Sequence, residues 1–175
     1  QDKWKLSRED LDNFALESHQ KAAHATESKY FDREILPVEG KNAEGIDDLV
    51  LADEGIRFDA SIDKLAGLKP VTEGGVITAG NASQITDGAA AVMICNDAGL
   101  KKIQSNPRAE IVSISVVGDD PVFMLTGPIP ASFKALEAAN LSIDDMDLYE
   151  VNEAFAPVPL AWAKDLKADK LKLNV

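Results

Sequence analysis

From residue 76 onward the sequence alternates short runs of apolar, β-branched residues with segments of helical character, and this alternation restricts the fold more than any other feature. Residues 76–79 read as a short strand and 81–88 as a polar turn. Residues 89–94 (Ala-Ala-Ala-Val-Met-Ile) form the uninterrupted apolar run of a strand covered on both faces. Residues 97–104 predict a short helix, and 109–117, bounded by Pro107 and Gly118, predict another strand rich in Val and Ile. A helix over 130–140 with Pro near its first turn follows, then a buried strand over 146–151, a helix over 153–166 and the beginning of a strand over 171–175. Strand and helix in turn predict an α/β structure in which helices cover a sheet.

The first 75 residues do not share this texture. Ser7 followed by Asp10 resembles a helix N-terminus, and Leu11, Phe14, Ala15, Ala22 and Ala23 recur at helical spacing, so residues 7–28 read as one amphipathic helix. Residues 33–51 contain Pro37, Gly40 and Gly45 and predict an irregular excursion with brief strands. A second helix is expected over 61–68, closed by Pro70. The region reads as a mainly helical insertion. A start at Gln1, without Met and on the approach to a helix, reads as a piece of a longer product.

A formal charge of -12 argues against a nucleic-acid or anionic-membrane surface, because both need dense Lys and Arg to replace counterions. An acidic protein that binds a phosphorylated ligand must therefore concentrate its few cations locally. Cys95 is the single cysteine, which rules out an intramolecular disulfide and favours an intracellular, cytoplasmic setting. No apolar run approaches a membrane span, and residues 1–10 lack the apolar core of a signal peptide.

Cys95 follows the apolar run 89–94, where a small apolar residue at the end of a buried strand is the simplest account, and nothing in the neighbouring sequence would lower its pKa. His19 and His24 are about 140° apart on a helix, too far round to share a metal, and read as surface residues. Nucleophile-elbow, Walker, GxGxxG and CxxC signatures are absent. Two segments stand out. Residues 78–91 place Thr78-Ala79-Gly80-Asn81-Ala82-Ser83 and Thr86-Asp87-Gly88 between two strands, where loops commonly hold ligands. Val151-Asn152-Glu153-Ala154-Phe155-Ala156 places an amide and a carboxylate at a strand-to-helix junction, where the helix dipole favours developing negative charge. Each segment taken alone is equally well read as a turn or cap satisfied by its own side chains.

Together, the Asn81-Ala82-Ser83 to Asp87-Gly88-Ala89-Ala90 string and the Val-Asn-Glu-Ala-Phe-Ala string resemble the thiolase family. The resemblance extends along the chain. Residues 6–18 look like the helix opening that family's CoA-binding loop domain. Phe31-Asp32-Arg33-Glu34-Ile35, Asp53-Glu54-Gly55-Ile56-Arg57, Leu65 to Pro70 and the Thr126-Gly127-Pro128-Ile129-Pro130-Ala131 segment follow in the family's order.

The resemblance implies a five-layer α-β-α-β-α fold of two similar halves, present here as a partial chain. Residues 1–75 would be the loop domain that binds CoA, 76–105 the end of the first half and 106–175 a truncated second half. It also implies Claisen-type exchange between acyl-CoA thioesters, with no permanently bound cofactor and with CoA or acyl-CoA as substrate. Asn152 matches the asparagine that completes an oxyanion hole through a held water. Arg57 matches an arginine at the adenine and phosphate end of CoA. Ser83 matches the serine that meets the pantetheine arm, and Met124 and Phe155 match apolar residues on the route to the thioester. Lys64 stands where some members carry serine and would contact a CoA phosphate, and Glu153 reads as orienting rather than chemical. The nucleophilic cysteine, the GHP histidine and the second catalytic cysteine of the family have no counterpart in the sequence, so inactivity of the chain alone is expected. Family members form dimers or tetramers, and the remaining thiolase segments would be the natural partners of this chain. The alternative is a non-catalytic CoA-binding module.

Overall fold

The computed structural model describes residues 2–42 and 44–175. The reading of Gln1 as the approach to a helix lies outside the described residues, as does Ala43 within the expected excursion.

The first helix, α1 (Arg8–Glu27), is built as the sequence predicts. Ser7 has extended backbone and its hydroxyl accepts from the Asp10 N–H at 3.1 Å, while Asp10 Oδ2 accepts from the Ser7 N–H at 2.8 Å, a reciprocal capping box. The Ser7 N–H and the Ser7 hydroxyl both donate to Asp10 Oδ2, each at 2.8 Å, and hold the Asp10 carboxyl below its ordinary range. The excursion after α1 contains the antiparallel pair β1 (Val38–Lys41) and β2 (Asp47–Val50), registered Val38 to Val50. A short helix, α2 (Ile62–Ala66), starts at Ser61, whose hydroxyl accepts from the Lys64 N–H.

Helices α3 (Asp97–Ile103), α4 (Pro128–Ala139) and α5 (Pro157–Leu166) fall within a few residues of their expected places. The expected strands between them differ. Residues 76–79, 89–94, 109–117, 146–151 and 171–175 form no ladder among the described residues, and only isolated bridges occur, at Pro70 with Thr78 and, in parallel, at Tyr149 with Leu173. The physical reason lies in what an apolar β-branched run specifies. Such a run sets extended backbone and two greasy faces, whereas a strand exists only when a neighbour supplies the opposing N–H and C=O groups. Residues 113–117 illustrate the point. Ser113 and Ser115 donate to the Ala135 and Ala131 carbonyls of α4 at 2.8 and 2.6 Å, an every-second-residue contact. The alternate side chains Val112, Ile114 and Val116 are exposed.

The core sits around α5. Its Trp162, Ala163 and Leu166 pack with Tyr149, Val151 and Leu173, and the Trp162 ring lies 5.3 Å from that of Tyr149 while its Nε1 donates to Ser132 of α4 at 2.8 Å. On the adjoining face, Leu160 and Ala156 pack with Leu6 and Leu11, and Phe14 of α1 touches both groups. Helix α1 is therefore held against α5 by apolar contact, which stabilises roughly in proportion to the area removed from water.

A buried polar network completes the attachment. Asp12, on the inner face of α1, accepts from Arg8 Nε at 2.6 Å and from Asn81 Nδ2 at 2.9 Å. Asn81 also donates to the Val76 carbonyl and accepts from the Thr78 N–H, and Arg8 Nη2 reaches the Leu65 and Leu68 carbonyls behind α2. No buried side-chain polar atom among the described residues lacks a partner, as expected where an unpaired one would cost about 1–3 kcal/mol.

Candidate functional site

With Asn81 anchored by α1, residues 81–83 extend and pair with 154–156 in antiparallel fashion. The Ser83 N–H donates to the Ala154 carbonyl at 3.0 Å, the Ala156 N–H donates to the Asn81 carbonyl at 2.9 Å, and Ala82 lies opposite Phe155. The two segments singled out in the sequence are thus hydrogen-bonded neighbours, although about 70 residues separate them. Residues 152–156 are not the first turn of a helix, because α5 begins only at Pro157. What organises them is main-chain pairing rather than the helix dipole.

The residues flanking Asn152 are tightly held. Glu153 accepts from Ser18 Oγ of α1 at 2.6 Å and from Asn174 Nδ2 at 2.8 Å, so both of its oxygens are engaged. Val151 exchanges two main-chain hydrogen bonds with the Asn174 carboxamide, at 2.8 and 2.9 Å. The Asn152 side chain is exposed and hydrogen-bonds to no described residue; with Ser115, Ser132 and Trp162 it lines a cavity of about 310 Å³. A carboxamide in that condition has a donor and an acceptor available to water or ligand.

Arg57 reaches the neighbourhood of Ser83 through Gln84. Its Nη2 donates to Gln84 Oε1 at 3.4 Å, and Gln84 Nε2 donates to the Gly55 carbonyl at 2.6 Å. The Arg57 main-chain N–H donates to His19 Nδ1 at 3.3 Å, and both residues line a second cavity, of about 260 Å³, with His24 and Phe58. His19 is therefore a half-buried structural acceptor and not the surface residue its spacing from His24 predicts. Burial, and secondarily the Arg57 charge, push its pKa below the ordinary 6.5 against an opposing pull from Glu153. The Arg57 guanidinium forms no ion pair with a described carboxylate, so its charge is available to an anion.

The remaining expected site residues are less closely gathered. Lys64 is taken up by Asp59, whose carboxylate and carbonyl oxygens both accept from its Nζ. Met124 is exposed, with a left-handed φ of 54°, on a turn whose Phe123 packs edge-on to Trp4 at 6.1 Å. No hydrogen bond or ring contact among the described residues joins that turn to the 81–83 and 154–156 pair. Cys95, expected at the end of a covered strand, is exposed, because nothing among the described residues covers the run that precedes it. Sequence reasoning passed over Asp12 and Asn174. An acidic residue beside Leu11 on the apolar face of a helix, with Arg8 four residues earlier, was the available signal for the first; nothing local pointed to the second.

Residues 1–98 match the family model for the thiolase N-terminal domain and residues 105–175 that for the thiolase C-terminal domain. The chain belongs to the thiolase family, and its fold is a partial thiolase-like α/β fold. It is 47% identical over 173 residues to a steroid 3-ketoacyl-CoA thiolase of Mycobacterium tuberculosis, covering 99% of this chain and 41% of that protein. Against the mitochondrial 3-ketoacyl-CoA thiolase of Bos taurus the identity is 45% over 174 residues, covering 99% and 44%. The fold superimposes on the crystal structure of the Bacillus anthracis acetyl-CoA acetyltransferase with a TM-score of 0.93 at 42% identity, covering 99% of this chain and 44% of that one. For human mitochondrial 3-ketoacyl-CoA thiolase the TM-score is 0.92 at 43% identity, covering 98% and 43%. The chain spans about two fifths of the length of these curated relatives. Among the described residues no helix is long and apolar enough to cross a membrane.

Proposed function

We propose that this chain is the central segment of an acyl-CoA C-acyltransferase that cleaves a 3-ketoacyl-CoA with CoA, or condenses two acyl-CoA molecules, by Claisen chemistry. Asn152 holds a water against the thioester oxygen as negative charge develops there. Ser83 meets the pantetheine arm, Met124 and Phe155 line the route to the thioester, Arg57 takes the adenine and phosphate end, and Lys64 plays a minor part because Asp59 already holds it. The supporting observation is the pairing of 81–83 with 154–156, which joins the CoA-contacting string to the oxyanion string in one hydrogen-bonded unit.

In this reading the chain alone does not turn over. Its single thiol, Cys95, lies in the stretch after Ser83 rather than beside Asn152, and the sequence holds no GHP histidine. The active form is a cytoplasmic homo-oligomer, dimer or tetramer, of the complete polypeptide, using CoA as substrate without a resident cofactor. A CoA-binding module without turnover is the second reading, and an Arg57 guanidinium without an ion pair among the described residues favours CoA contact under either.

Thiolysis of acetoacetyl-CoA, followed at the enolate absorbance, tests the proposal. The 175-residue chain is expected to give no rate. In the complete polypeptide, Asn152→Ala is expected to lower kcat by about 10²–10³-fold with KM little changed, the size typical of losing one oxyanion-hole donor. Turnover by the chain alone, or equal losses in kcat and affinity, would overturn the assignment.

A further inference from the structure

We infer that Asn174 is a positioning residue for Asn152. This rests on the reading of Asn152 given above and extends it to a residue that the family resemblance did not single out.

One carboxamide spans the site. Asn174 Oδ1 accepts from the Val151 N–H at 2.8 Å, and its Nδ2 donates to the Val151 carbonyl at 2.9 Å and to Glu153 Oε1 at 2.8 Å. Both amide hydrogens and one acceptor site are thereby used, and they hold the residues on each side of Asn152. The main chain of Asn174 is also engaged, since its N–H donates to the Tyr149 carbonyl at 2.9 Å next to the Tyr149–Leu173 bridge. Ser18 closes the other side by donating to Glu153 Oε2 at 2.6 Å. Asn152 itself hydrogen-bonds through its side chain to no described residue and stands between two held neighbours, with its side chain on the cavity.

The conformation explains why the residue is asparagine. Asn174 has φ of 46°, in the left-handed region that glycine and asparagine occupy most readily. Glycine would keep the backbone and lose the clamp. Aspartate would keep one acceptor, lose both donors, and set a second carboxylate against Glu153 and the Val151 carbonyl. Only an amide on a side chain this short satisfies the backbone and all three contacts. A misplacement of about 1 Å of a reacting group can cost about 10²-fold in rate.

The test measures kcat, KM and the melting temperature of Asn174→Gly, Asn174→Asp and Asn152→Ala in the complete polypeptide, with amide exchange at the Val151 N–H. Positioning predicts that both Asn174 variants lose about 10–100-fold in kcat, with KM within about twofold and Val151 exchange accelerated in a protein that still melts cooperatively. It also predicts that Glu153→Gln added to Asn174→Asp restores part of kcat, because the new amide donates to the new carboxylate. Normal kcat in Asn174→Gly alongside an impaired Asn152→Ala would overturn the inference alone. Normal kcat in Asn152→Ala would overturn the reading on which it rests. Loss of rate only in step with loss of folded protein, without rescue by the double variant, would reduce Asn174 to a purely structural role and overturn the inference as well.

Discussion

Asn81 Nδ2 donates to Asp12 Oδ1 at 2.9 Å, with both residues buried, and this one bond ties the helix of the insertion to the loop that ends in Ser83. Asn81 then hands its carbonyl to the Ala156 N–H, so the position of the 154–156 segment depends on a carboxylate on α1. Coupling of this sort joins α1 to the proposed site through hydrogen bonds.

Replacing Asp12 with Ala removes an acceptor from a buried amide and the partner of Arg8. The expected loss of stability is about 1–3 kcal/mol, the cost of leaving a buried polar group unsatisfied. Urea unfolding should show a lower midpoint at unchanged m-value. A midpoint equal to that of the parent would mean that water or a rotamer change replaces the contact.

The capping box at the start of α1 should contribute separately. Ser7→Ala removes the acceptor for the Asp10 N–H and is expected to cost about 1 kcal/mol. Asp10 has its pKa lowered chiefly by its bonds to Ser7. The sign follows from the depressed carboxyl. Its stabilisation is present above the unfolded value of 3.8 and is lost as pH falls through the lower folded value. Ser7→Ala keeps the main-chain donor and loses only the hydroxyl donor to that carboxylate, so its melting temperature should lie below the parent's at pH 7. The gap should narrow toward pH 2 without closing, since the cap on the Asp10 N–H does not titrate.

His19 predicts a different window. Its folded pKa lies below 6.5, because burial and Arg57 disfavour the imidazolium. The unfolded chain then binds the proton more readily, so stability is complete above pH 6.5 and declines as pH falls through the folded value. Protonating Nδ1 also removes the acceptor for the Arg57 N–H. His19→Asn, which can keep an acceptor near that place, should flatten the fall in melting temperature between pH 7.5 and 5.5. A parent and variant with parallel pH profiles would rule the imidazole out as its source.

Two cations near the proposed CoA path should behave unequally. Arg57→Ala is expected to weaken CoA binding by about 10–100-fold, the equivalent of a charge-assisted hydrogen bond. Lys64→Ala should stay within about twofold, since Asp59 holds the ammonium. Calorimetric titration of CoA into the complete polypeptide measures both. Equal effects would show that Lys64 leaves Asp59 when CoA arrives.

Much of this architecture is legible in the residues alone. The capped helix, the excursion with its brief strands, the places of α3 and α4 and the two candidate strings follow from local rules, because caps, turns and apolar periodicity act within a few residues. The resemblance to thiolases rests on strings of the same local kind. Contacts that close across the chain were not legible. Nothing near Glu153 says that Ser18 and Asn174 will hold it, and nothing near His19 says that it accepts from Arg57. Strand runs such as 89–94 and 109–117 declare extended backbone, yet a ladder is a relation between two segments, and the partner is not written in the run itself. Sequence determined the helices and their caps, the family and the candidate strings, since each is set by neighbouring side chains. Tertiary structure alone decided that Ser83 pairs with Ala154 and that Asn174 brackets Asn152, because hydrogen bonds between distant residues exist only once packing around α5 has brought their backbones within 3 Å or so.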